Sequence, residues 1–339
     1  MKIAIHRTDE QWSFCNHWIN YCKENAIPFK TVNAYDSDII EQVSDCDAFM
    51  WHFSNYENSD SLFAKQLLYS IGQKGLKVFP DFSTCWHFDD KVGQKYLLEA
   101  AEASAVPSYV FYSKKEAMDW IAKTTFPKVF KLRGGSGSSN VKLIRSKKEA
   151  FSHTKKAFGQ GFSQFDRWTH LKYRFLNWRS GKESFLAVLK GTARLLIGTE
   201  YSRNHHKEKG YVYYQDFIPN NESDIRVIVI GNRAFAIKRL VRKGDFRASG
   251  SGSIIYTKAE IDENCISMAF DVNSKINSQC TAFDFVFNLE NDPLVVEISY
   301  GFASFGKENC EGYWDNRMNW YEGGFNPYGW MIENLIFEK

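Results

Sequence analysis

The segment from Lys131 to Lys142, KLRGGSGSSNVK, sets a lysine three residues ahead of a run of glycines and serines. Backbone N–H groups of such a loop can cradle an anion while an ammonium holds it from another side. A Walker loop needs its lysine directly after the last glycine and a helix beyond. A Rossmann fingerprint needs GxGxxG leading into a helix. Neither pattern holds, because the lysine comes first and the loop runs into VKLI, Val141 to Ile144, which reads as a strand. Two readings stay open: a hairpin whose tip (Gly134, Gly135, Ser136, Gly137, Ser138) lies over phosphates with Lys131 on the incoming strand, or a plain surface hairpin.

A second group lies downstream. Asp284 in AFDFVF and Glu297 in VVEIS fall on two strands that LENDP would join as a hairpin. Carboxylates facing each other across such a pair repel unless a cation sits between them, and Mg²⁺ bridging nucleotide phosphates suits that place. The alternative turns both to solvent. Asp224 can accept from ribose hydroxyls, the carbonyls after YVYYQDFI can meet a base, and Arg239 and Arg247 stand near a second small-residue loop. None of the eight histidines has HExxH spacing, and no Ser-His-Asp or Cys-His arrangement is called for. His205 and His206 read as solvated. His6 and Arg7 follow the first strand at its carboxyl end, where open α/β sheets bind ligands, and are candidates for holding substrate.

These residues need elements to carry them. KIAIH, DAFMWHF and LKVFPDF read as strands; between them Trp12–Glu24 and Ser61–Gly72 have helical spacing, the latter through Leu62, Phe63, Gln66, Leu67 and Ile71. Strands alternating with helices predict a parallel α/β lobe. A further helix opens at Asp89 or Asp90 and stops before Pro107, the expected lobe boundary. Beyond it come SYVFYS, a helix around KKEAMDWIAKT, the loop hairpin, and then YVYYQDFI, DIRVIVIG, RAFAIKRLV, AFDFVFN and PLVVEISY as strands. No internal repeat or low-complexity tract stands out.

With 339 residues, 44% hydrophobic and 24% charged, the chain is globular and long enough for two or three lobes. A net charge of +3 is too small to imply a nucleic-acid partner. The segment His153 to Gly210 holds twelve Lys or Arg against four Asp or Glu, a basic insert in a near-neutral chain. Within it Phe165, Trp168, Leu171, Phe175 and Trp178 form a helical stripe flanked by Arg167, Lys172, Arg174 and Arg179, which packs on the body, the preferred reading, or lies against a membrane surface or anionic polymer; either way the cations suit an anionic acceptor or its carrier. Seven scattered cysteines without a CxxC pair read as reduced thiols of a cytoplasmic protein. No signal peptide or membrane span is expected.

In this order, the parts resemble the ATP-grasp superfamily, most closely the branch of the ribosomal-protein glutamate ligase and glutathione synthetase, from Phe79 to Gly301. DDKVGQKYLLEA resembles the family's helix-opening DK, which implies Lys91 as a nucleotide lysine; KVFKLRGGSGSSNV looks like its second lysine strand and phosphate-covering loop, with Lys131. QDFI resembles the adenine hinge, Gln215, Asp216, Phe217 and Ile218. SDIRV supplies Asp224 for ribose, with Arg226 behind it. AIKRLVRKGDFR puts Arg239 and Arg247 where the family holds phosphates and the acyl-phosphate. Asp284, Glu297 and Ser299 fall on its metal ligands, with Ser299 in place of the family's asparagine and Ser249 departing likewise.

The implied fold is α/β and α+β: a Rossmann-like parallel N-terminal domain (1–107), a small lobe with the basic insert (108–212) and a C-terminal lobe (213–339), the two α+β lobes sandwiching ATP. The implied activity is an ADP-forming carboxylate–amine ligase using ATP and one or two Mg²⁺. A regulatory ATP-binding module without turnover and a phosphotransferase are the alternatives. The tail after Glu297 is rich in Trp, Tyr and Gly. It suits sugar rings, or packs a C-terminal helix onto the body, the preferred reading for Trp330, Ile332 and Leu335. It also looks like tails of ATP-grasp proteins of surface-polysaccharide synthesis, which implies an amino acid joined to a sugar acid.

Overall fold

The computed structural model describes residues 1–54, 57–134, 140–163, 207–242, 245–248, 252–303 and 309–337. The chain divides into a larger unit, Met1–Phe88, Gly93–Ala105 and Ile218–Lys339, and a smaller one, Asp89–Val92 and Val106–Phe217.

The larger unit opens with four parallel strands in the order β2-β1-β3-β4: β1 Ile3–His6, β2 Phe29–Val32, β3 Ala48–Met50 and β4 Lys77–Phe79. Helix α1, Cys15–Glu24, buries Cys15, Trp18, Ile19 and Cys22, a single stripe at helical spacing. Helix α3, Asn58–Gln73, is longer than its sequence pattern suggests and keeps only part of the expected stripe inward, Ile71 being buried and Phe63 and Leu67 packing against the core. Ala64, Leu68 and Ile71 are buried, while Leu62 is 74% exposed. The small Ala64 lets the helix approach the sheet closely, which the larger Leu62 would prevent.

The second sheet of this unit has seven antiparallel strands. Its middle is formed by β9 Ser223–Ile230, β10 Arg233–Leu240, β12 Cys280–Phe287 and β13 Pro293–Ser299, in the order β13-β12-β9-β10. One face, with Val227, Val229, Phe283 and Phe285, packs on the helix Glu263–Lys275, whose N-cap Asp262 accepts from Asn264 N. The other face is apolar at Ile228, Ile230, Phe235 and Ala282, where α1 and the C-terminal helix Pro327–Phe337 cover it. Two residues along the same strands this face becomes charged, and the candidate site begins there. Trp330, Ile332 and Leu335 are buried, as the packed reading of the tail expected.

The smaller unit is a four-stranded antiparallel sheet, β5-β8-β6-β7, made of β5 Ser108–Phe111, β6 Lys128–Lys131, β7 Val141–Ile144 and β8 Val212–Asp216. Phe130, Ile144, Val212 and Tyr214 face the helices α6 Lys114–Lys123 and α7 Lys147–Ala157. Helix α7 lies partly in what the sequence suggested was the start of the basic insert. Both helices begin with the same SKKEA, at 113–117 and 146–150, a recurrence too short to mark a structural repeat. Ser113 accepts from Glu116 N and Ser146 from Glu149 N, so each serine satisfies a first-turn donor.

Candidate active site

In the smaller unit, residues on opposite faces of the sheet do different work. Phe130 and Tyr214 fill the helix side, so the alternation of the strand sends Lys131 and Gln215 to the other side. Both are buried, at 5% and 4% exposure. Gln215 donates from Nε2 to Ser108 Oγ at 3.1 Å. Asp216 points the other way and accepts from Lys128 Nζ at 2.5 Å, beside the rings of Tyr109 and Trp120. Its part in a base-binding hinge would therefore come from its backbone. Lys91 is buried at 4% exposure, its ammonium 3.6 Å from Asp89 Oδ1. Its peptide N–H donates to Arg133 O at 3.0 Å, which ties the two lysine segments together. Gly134 is the last residue described before the loop; Gly135, Ser136, Gly137 and Ser138 lie outside the described residues.

In the larger unit the register puts the charged candidates on two adjacent rungs of one sheet face. Asp224 pairs with Arg239, Arg226 with Asp284, and Asp284 with Glu297. Arg239 grips Asp224 with both nitrogens, Nε to Oδ1 at 2.7 Å and Nη2 to Oδ2 at 2.5 Å, and reaches Asp284 Oδ2 at 3.0 Å. Arg226 donates to Asp284 from Nε at 2.6 Å and Nη2 at 2.8 Å. Burial alone would raise the pKa of Asp284, but Arg226 and Arg239 overcome it and hold the carboxyl well below its usual range. Asp224 is pushed up by burial and by the negative charge of Asp284. Burial lowers Arg239, yet the two carboxylates outweigh it and secure its charge.

At Asp284, then, the repulsion that pointed to a metal is offset within the chain by two guanidiniums. The donors still fit Mg²⁺ chemically. Asp284, Glu297 and Ser299 offer hard oxygens on one sheet face, and Asp284 Oδ1 accepts only one hydrogen bond among the described residues. Ser299 Oγ donates to Gly301 O at 2.9 Å and accepts from Gly301 N at 3.2 Å, which leaves one lone pair for a cation. No group of three or more His, Cys, Asp or Glu among the described residues forms a metal cage, so phosphate oxygens and water would complete the shell.

Arg247 folds back on Asp245, Nη2 to Oδ2 at 2.6 Å, apart from those rungs. Ser249 lies outside the described residues, as do residues 164–206 with the aromatic stripe, Arg174, Arg179, His205 and His206. His6 is buried at the end of β1, its Nδ1 accepting from Ala34 N at 2.9 Å, and burial lowers its pKa to about 4. Arg7 is exposed.

Two features escaped sequence reasoning. The Asp224–Arg239 pairing had a signal that was passed by: a Gly231–Asn232 turn between β9 and β10, with Gly231 at φ 55°, sets the register. Glu208, which grips the base of the loop, carried no local signal.

Over residues 176–314 the chain matches the family model described as the RimK-like ATP-grasp domain. A search of curated proteins returned no match. Among solved structures, it is similar to a RimK domain protein ATP-grasp from Sphaerobacter thermophilus, with TM-score 0.58 and 14% identity over 99% of each chain. It is similar to the D-cycloserine synthetase DcsG at TM-score 0.59 and 12% identity, covering 99% of this chain and 100% of that one. It is also similar to the biotin carboxylase domain of 2-oxoglutarate carboxylase from Hydrogenobacter thermophilus, at TM-score 0.62 and 12% identity over 100% of this chain and 70% of that one. Identities this low speak to the fold. The chain shares the fold of these ATP-grasp structures, and its residues 176–314 match the RimK-like ATP-grasp domain.

Proposed function

We propose that the protein is a cytoplasmic, ADP-forming carboxylate–amine ligase. The observation that carries this reading is the pairing of Asp224 with Arg239 and of Asp284 with Glu297 on adjacent rungs of one sheet face, within the stretch that matches the RimK-like domain. The structures of D-cycloserine synthetase and D-alanine–D-alanine ligase on the same fold support it by analogy. ATP takes Lys91, Lys131 and the backbone of Gln215 to Ile218 as ligands, and Asp224 for its ribose. Mg²⁺ held by Asp284, Glu297 and Ser299 would neutralise phosphate charge. A substrate carboxylate oxygen attacks the γ-phosphorus and ADP leaves. An amine then attacks the acyl carbon, phosphate departs, and the nitrogen loses its proton. The chain's own task is to align the carboxylate and hold the charge that spreads over the phosphoryl oxygens, with Arg239 and Arg247 as the cations for it.

The domain plan is 1–107, 108–212 and 213–339, with the basic insert facing an anionic acceptor or its carrier, and an amino acid joined to a sugar acid is the proposed product. Titration calorimetry should show MgATP binding that Lys131→Ala loses or greatly weakens. A screen for ADP release, amino acids crossed with uronic acids and short peptides, identifies the pair. AMP and pyrophosphate as products would overturn the acyl-phosphate route. The second reading, an ATP-binding module without turnover, is favoured by Ser299, whose hydroxyl reaches less far than the asparagine of the family pattern. It predicts binding with no ADP release from any pair.

A further inference from the structure

Glu208 stands outside every motif described so far. Its backbone pairs with Phe162, N to O at 2.9 and 2.8 Å in the two directions, and its side chain is buried at 8% exposure. The carboxylate accepts from two successive peptide groups, Arg133 N at 3.1 Å and Gly134 N at 3.2 Å. Tyr211 braces it, its hydroxyl donating to Glu208 Oε2 and accepting from Arg133 N at 2.6 Å. Beside this carboxylate, and buried, the Tyr211 phenol is held well above its usual pKa.

Those two peptides are where both candidate nucleotide lysines are anchored. Lys131 lies two residues upstream at the end of β6, and Arg133 O accepts the peptide N–H of Lys91 at 3.0 Å. Hydrogen bonds to an ionised carboxylate are about twice as strong as neutral ones. A carboxylate spent on two consecutive N–H groups therefore fixes the course of the chain at the point from which both ammoniums project. An ammonium that must meet a phosphate oxygen gains from such a fixed base.

We propose that Glu208 is a positioning residue for Lys91 and Lys131, acting on nucleotide affinity through the peptides of Arg133 and Gly134. This rests on the reading of those lysines as nucleotide ligands. The test is calorimetric titration of the full chain with MgADP. Glu208→Ala should weaken binding by about ten-fold, the scale of a lost charge-assisted bond. Glu208→Gln keeps one acceptor oxygen and should recover most of that loss, a rescue that general loosening of the fold does not predict. In a Lys131→Ala background the Glu208→Ala effect should shrink, since residues acting as a unit are not additive. If Glu208→Ala does not fold, Glu208→Gln and Tyr211→Phe carry the same cycle, each with about three-fold loss in the parent chain and less beside Lys131→Ala. Full affinity in the Glu208 variants, losses that multiply in full, or tighter binding would each overturn the proposal, the last by showing the carboxylate competing with phosphate. Absence of MgADP binding by the unaltered chain would sink the nucleotide reading and this proposal with it; normal binding indifferent to Glu208 sinks this proposal alone.

Discussion

Asp284 and Glu297 are register partners, yet they differ in what their loss should do. Asp284 neutralises parts of two guanidiniums, the buried Arg239 and the partly buried Arg226, and an asparagine there would leave both short of a counter-charge. Breaking a buried pair from one side costs about 3 kcal/mol. Asp284→Asn should therefore lower the urea midpoint strongly, whatever it does to activity. Glu297→Gln should leave the midpoint near that of the parent and cut ADP release by roughly 10²- to 10³-fold, the usual cost of removing a preorganised electrostatic element. Equal destabilisation by the two substitutions would place Glu297 in the structural ladder and remove it from the metal site. Ser299→Asn completes the set: if the serine stands in as a ligand, asparagine preserves or raises activity at low Mg²⁺, and complete loss gives the serine another role.

At the scale of elements, the parts that were legible in sequence are those whose signal is local. The parallel strands, the hairpin joining β12 to β13 through LENDP, and the lysine strand ahead of a glycine-serine loop each announce themselves in a few residues. The inward face of α3 did so only in part: Ile71 is buried and Phe63 and Leu67 pack against the core, but Leu62 and Gln66 of the same apparent stripe face out, and the sheet beneath turns Ala64 and Leu68 inward instead. Helix α7 was not read from the sequence, although Ser146 and Glu149 repeat the capping pair that starts α6. Nor was Glu208, since its partners Arg133 and Gly134 are remote in sequence. The C-terminal helix is apolar nearly all round and packs on α1, where a Cβ on Gly329 would come within 2.4 Å of the Tyr21 ring. Tyr21 cannot swing away freely, because its hydroxyl donates to Glu333 at 2.6 Å, and Glu333 also holds Arg233. Gly329→Ala should then cost about 1–3 kcal/mol by overpacking. Thermal unfolding measures it, and an unchanged melting temperature would mean that the contact relaxes without cost.

For the molecule as a whole, burial of neutral imidazoles ties stability to pH. His6, His52 and His87, all in the larger unit, are at most 7% exposed. Burial lowers His6 and His87 to about 4 and His52 to about 3. His6 and His52 each spend Nδ1 accepting a peptide N–H, from Ala34 and from Phe14, so a proton on that nitrogen would face a donor. Both ring nitrogens of His87 are buried without a hydrogen-bond partner. In the unfolded chain the same groups take up protons near pH 6.5. The unfolded state thus binds more protons below that value, and the stability these residues contribute is complete above about pH 6.5 and lost as pH falls toward their folded values. One unit of difference is worth about 1.4 kcal/mol per histidine, so lowering pH from about 7.5 to about 5.5 should remove about 4 kcal/mol. Burial raises the carboxyls of Asp60 and Asp224, which act in the opposite sense by favouring the folded state at lower pH. Urea unfolding at the two pH values measures the sum. His52→Asn, whose amide oxygen can still accept from Phe14 N, should remove about a third of the drop while leaving the fold intact. A pH dependence that is flat in the parent chain, or unaltered by His52→Asn, would show that these imidazoles are not held neutral by the fold.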